Sequence, residues 1–64
     1  MIFKASYKVT FKNGRDWKTT VHDLDEKDAL AAGRAGKRKL RSVLGVSVKR
    51  IRCGRVCRDL KRGS

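Results

Sequence analysis

The sequence predicts an α+β domain of order β-β-α-β, with one helix packed on one face of a three-stranded antiparallel sheet ordered 2-1-3. Three observations carry this expectation. Residues 3–12 alternate apolar and polar without a break, Asn13-Gly14 follows directly, and an apolar face at helical spacing runs from Ala29 to Leu44. A chain of 64 residues holds one domain, whose core seldom supplies more than about 3–5 kcal/mol of net stability. The expected domain covers residues 1–57, with 58–64 as a basic flexible tail.

In the first strand Phe3, Ala5, Tyr7, Val9 and Phe11 face one way, and Lys4, Ser6, Lys8, Thr10 and Lys12 the other. Period two with one apolar side is the mark of a half-buried strand. Asn13-Gly14 by itself suggests a two-residue turn, but that register would put Trp17 and Val21 on the lysine face. A three-residue loop, Lys12-Asn13-Gly14, with a left-handed Gly14 in a bulge, pairs Phe11 with Arg15, Val9 with Trp17, Tyr7 with Thr19 and Ala5 with Val21. The second strand then runs from about Arg15 to His22.

Asp23 to Asp28 reads as the opening of the helix, with Asp25 as N-cap and acids complementing the positive helix end. Ala29, Gly33, Gly36, Leu40, Val43 and Leu44 share a face, flanked by Leu30 and Ala32. Arg34, Arg38 and Arg41 lie opposite, with Lys37 at the border. Gly33 and Gly36 each cost about 1 kcal/mol relative to alanine. Their place on the buried face implies close approach to a sheet filled by Phe3, Tyr7, Phe11 and Trp17. Gly45 supplies the stop. Val46 to Cys57 reads as the third strand, its phase changing between Val48 and Ile51. Either a bulge near Lys49-Arg50 or a later start reconciles the two.

Charge is placed unevenly along this frame. From Gly33 onward twelve Lys and Arg residues face only Asp59, which is +11 of the chain's +12, while the first half is nearly balanced. Arg outnumbers Lys there eight to four, and Arg suits bidentate contact with phosphate or carboxylate. A pI near 10.8 fits nucleic acid, an anionic membrane or an acidic protein surface. No apolar run approaches the roughly 20 residues of a membrane span, and no signal-peptide pattern is seen. The expectation is therefore a cytoplasmic protein, with no membrane partner and reduced thiols.

Catalytic and metal chemistry find little support. His22 is the single histidine and no Ser or Cys is tied to it by spacing. No Walker-type loop is present. Cys53 and Cys57, with His22 as the only other soft ligand, leave a four-ligand zinc site incomplete. Four residues apart on a strand is about 13 Å, beyond disulfide reach of about 7 Å, so the two bond only if Gly54 begins a turn; otherwise Cys53 reads as a small core residue and Cys57 as an incidental thiol. No enzyme activity, cofactor or metal is expected. The basic residues remain, and the contact set is Arg34, Lys37, Arg38, Arg41, Lys49, Arg50, Arg52 and Arg55. No Gln and a single, turn-bound Asn accompany them to read adenine edges, and the aromatics belong to the core face. Backbone-directed binding with weak sequence selectivity follows, duplex DNA favoured and RNA the alternative.

Leu24-Asp25-Glu26, Ala29-Leu30 and Val48-Lys49-Arg50-Ile51-Arg52-Cys53 also resemble the small inhibitors of host RNA polymerase made by T7-type phages, over roughly residues 16–53. The family shares the length, the strand–helix–strand order, a Leu-Asp-Glu helix start and a late strand with alternating arginines before a cysteine. The resemblance implies a binding function in which Arg50 and Arg52 contact an acidic patch on the bacterial polymerase. The family's negatively charged strip has almost no counterpart here. Two expectations therefore stand: a basic phage-like module that binds nucleic acid and affects transcription, and a protein–protein inhibitor of bacterial RNA polymerase.

Overall fold

The alternation of the first strand builds the centre of the molecule. In the computed structural model, which describes residues 1–59, β1 (Ile2–Phe11) lies between β2 (Asp16–Asp25) and β3 (Val48–Arg58). Both pairings are antiparallel. Helix α1 (Ala29–Leu44) covers one face, and a 3-10 turn at Gly45–Ser47 leads into β3. Fold class, element order and strand order are those expected. Residues 60–64 of the expected tail lie outside the described residues, and Arg58 closes β3.

The hairpin takes the bulged register. Val9 pairs with Trp17, Tyr7 with Thr19 and Ala5 with Val21. The Phe11 and Gly14 amides donate to the Arg15 and Phe11 carbonyls at 2.8 and 2.9 Å, and Gly14 has φ +89°, a conformation that favours glycine. The Asn13 side chain accepts the Arg15 N–H at 2.9 Å.

The second strand runs further than expected and displaces the helix start. A bulge sets His22 and Asp23 against Lys4. Asp23 takes φ +59°, a left-handed setting that Asp tolerates better than most residues. The bulge returns Leu24 to the helix side, where it is buried opposite Phe3. Burial of Leu24 outweighs the local acidic helix signal, so the N-cap is Asp28 and not Asp25. The Asp28 carboxylate accepts the Ala31 N–H at 2.8 Å.

On the helix the buried line is Ala32, Gly33, Gly36 and Leu40, rotated from the expected face. Ala29 and Val43 are exposed, and Ala32 sits at the centre rather than the flank. Tyr7 sets the rotation. Its hydroxyl donates to the Gly33 carbonyl at 2.6 Å, and a Cβ at Gly36 would overlap that hydroxyl. The core joins Phe3, Ala5, Tyr7 and Val9 of β1 to Leu24, Ala32, Leu40, Val48 and Ile51.

Trp17 departs from the filled face expected of it. Helix α1 leans toward β3, so Trp17 is 43% exposed and stacks on Phe11 at 6.5 Å. In β3 the phase change is resolved by a bulge at Lys49, which puts both Val48 and Ile51 in the core, while Val46 stays outside the strand. A second bulge sets Gly54 and Arg55 against Ser6. It sends Cys53 toward α1 and Cys57 to the other face. Both thiols are free, and Cys53 is exposed rather than a core residue.

Candidate nucleic-acid interface

Alternation along three strands leaves one face of the sheet without a covering layer of described residues. β1 contributes Lys4, Ser6, Lys8 and Thr10 to it. Cross-strand register then brings up side chains on both sides. Thr10 lies between Asp16 and Arg50, and Lys8 between Lys18 and Arg52. Ser6 lies beside Thr20 and accepts the Arg55 N–H on its Oγ at 3.0 Å. Lys4 pairs with Cys57, and the hollow at this end is lined by Lys4, His22, Arg55 and Cys57.

The face thus gathers Lys4, Lys8, Lys18, Arg50, Arg52 and Arg55. Its acids sit at the two ends. Asp16 accepts from the Thr10 hydroxyl at 3.0 Å and lies 3.6 Å from the Lys8 ammonium. Asp59 is buried, with Oδ2 at 3.3 Å from His22 Nδ1. Between these ends Lys8 is directly opposite both Lys18 and Arg52, and like charges so opposed cost stability in a sheet.

The helix residues of the expected contact set lie on the other side of the sheet. Arg34, Lys37, Arg38 and Arg41 are all exposed on α1. Arg34 and Arg38 share a depression of about 380 Å³ with Glu26 and Asp28, so acids stand close to this part of the helix. A second groove, about 250 Å³, runs between α1 and β3, lined by Leu30, Gly33, Cys53 and Val56 with Arg34 and Lys37 at its rim. Lys49 is exposed in its bulge. The expected residues therefore fall into a helix group and a sheet group. Arg50, Arg52 and Arg55 join Lys4, Lys8 and Lys18, which stood outside the contact set. Strand parity was the signal for the lysines.

Among the described residues, no three His, Cys, Asp or Glu side chains come together as a metal site. His22 has Asp59 as a carboxylate partner, a pairing across the sheet end that sequence spacing does not reveal. No described helix is long and apolar enough to cross a membrane. All four aromatic residues belong to the helix side: Phe3, Tyr7 and Phe11 by alternation, and Trp17 by its pairing with Val9. The open face thus has cations and hydroxyls but no ring on which a base can stack. Set against family models, curated proteins and solved structures, the chain matches none of them.

Proposed function

We propose that this protein is a non-enzymatic, phage-like module that binds nucleic acid through its phosphate backbone with weak sequence selectivity, and so affects transcription. The observation that carries the reading is the uncovered sheet face with its six Lys and Arg side chains and its acids confined to the ends. Cations held on a sheet are set by its pleat and register, so they meet an array of phosphates without prior ordering of a loop. Duplex DNA fits better than single strands, because stacking on aromatic rings is the usual source of single-strand affinity and this face has none. Arg34, Lys37, Arg38 and Arg41, on the other side, add long-range attraction that steers encounter.

Binding of this kind is salt-dependent. Anisotropy titrations against short duplexes of unrelated sequence should give similar affinities, with log K falling by about 0.9 per phosphate neutralised for each tenfold rise in salt. Replacing Arg50, Arg52 and Arg55 by Gln should lower affinity and flatten the slope. Salt-insensitive binding, or none in dilute buffer, overturns the reading.

A second reading has its own support. Arg50 and Arg52 stand two residues apart on one exposed edge strand, and would dock on an acidic surface of bacterial RNA polymerase. A pull-down from bacterial lysate separates the two. Polymerase recovered after nuclease treatment, and lost in an Arg50→Gln/Arg52→Gln variant, favours the inhibitor; capture abolished by nuclease favours the nucleic-acid module.

A further inference from the structure

The cations of the open face are not evenly distributed, and their densest point has a shape. Lys18 of β2, Lys8 of β1 and Arg52 of β3 occupy one row straight across the sheet, each outer residue directly opposite Lys8. Neighbouring strands are about 4.8 Å apart, so long side chains from the outer strands can converge above the middle one. Beside the row lies Ser6–Thr20; the Ser6 hydroxyl donates to the Arg55 carbonyl at 3.4 Å, which leaves the Thr20 hydroxyl for an anion. All five residues line one hollow of about 480 Å³; Asp16, outside that lining, lies 3.6 Å from the Lys8 ammonium and is the acid an incoming anion displaces.

We infer that this row is a discrete seat for one backbone phosphate, the anchor about which a duplex is registered on the face. The inference rests on the nucleic-acid reading and deepens it. A tetrahedral oxyanion can accept from cations on three sides and from a hydroxyl at once. The Ser6 oxygen is held in place by the Arg55 N–H, and Thr20 stands beside it as a donor. Three cations opposed in one row repel one another in the free protein. An anion seated there relieves that repulsion and stabilises the fold by mass action. Binding and free-state stability therefore respond to the same residues with opposite sign, which a merely structural role would not produce.

The test is thermal unfolding in inorganic phosphate against chloride at equal ionic strength, on wild type, Lys18→Gln, Arg52→Gln and Lys18→Arg. Phosphate should raise the wild-type Tm by several degrees beyond chloride. Lys18→Gln and Arg52→Gln should each melt higher than wild type in dilute chloride, yet lose the phosphate increment. Lys18→Arg should keep it, as should the helix variant Arg34→Gln/Arg38→Gln/Arg41→Gln. In duplex titrations the Gln variants should each flatten the salt slope by about 0.9. Equal protection by phosphate and chloride, or an undiminished increment in both Gln variants, overturns the seat while leaving duplex binding by the wider face intact. Loss of the increment in those variants, with no duplex binding by wild type, overturns the backbone assignment and leaves a seat for free phosphate.

Discussion

Gly36 and Gly33 are both buried helix glycines, yet their surroundings differ. A Cβ at Gly36 would overlap the hydroxyl and ring of Tyr7, while one at Gly33 would meet the Cys53 Sγ at 3.3 Å, the end of a side chain able to turn aside. Alanine gains about 1 kcal/mol of helix propensity at either site, and overpacking costs about 1–3 kcal/mol where the neighbour cannot move. Gly36→Ala should therefore destabilise by up to about 2 kcal/mol, and Gly33→Ala should stay within about 1 kcal/mol of wild type. Urea midpoints at unchanged m would measure both. Tyr7 itself has a phenol pushed up to about 12, by burial first and by nearby Cys53 second. Between the ordinary value near 10 and that folded value, the native state holds a proton that the unfolded chain releases. This contribution to stability is complete below about pH 10 and is lost as pH rises toward 12. Tyr7 is the single tyrosine, so its absorbance titration should show one phenolate transition, near 12 in the folded protein and near 10 in denaturant.

At the scale of elements, the junction between β2 and α1 shows how a buried residue overrides local propensity. Local sequence points to Asp25 as the cap. The bulge at His22 and Asp23 places Leu24 opposite Phe3, so Asp25 remains strand and only Asp28 caps the helix. Asp25 instead lies 3.3 Å from the N-terminal amine, with both groups exposed, and exposed pairs contribute little. Asp28→Ala should cost about 1 kcal/mol; Asp25→Ala should change stability by less than about 0.5 kcal/mol. Thermal unfolding of the two variants side by side would separate a cap from a surface acid. The bulges of β3 act in the same way at the other edge. The one at Lys49 was legible, because Val48 and Ile51 cannot both be buried on an unbroken strand. The one at Gly54 and Arg55 was not, since glycine and arginine carry no alternation to interrupt.

For the whole molecule, the decisive property is how charge is distributed over two faces. Sequence alone determined the element order, the central place of β1 and the bulged hairpin, because each follows from short-range alternation and turn chemistry. It also determined that the positive charge lies mostly beyond Gly33. Alternation already set Lys4 and Lys8 on the face away from the core; tertiary structure decided which charges stand opposite one another there. Arg34, Arg38 and Arg41 belong to the helix side, with Glu26 and Asp28 in the depression lined by Arg34 and Arg38, while Arg50, Arg52 and Arg55 join three lysines of the nearly neutral first half. The row of Lys18, Lys8 and Arg52 exists only through cross-strand register, between residues far apart in the chain. Periodicity assigns a side chain to a face. Long-range pairing, shifted by bulges where burial of Leu24, Val48 and Ile51 demands it, sets the neighbours it meets there.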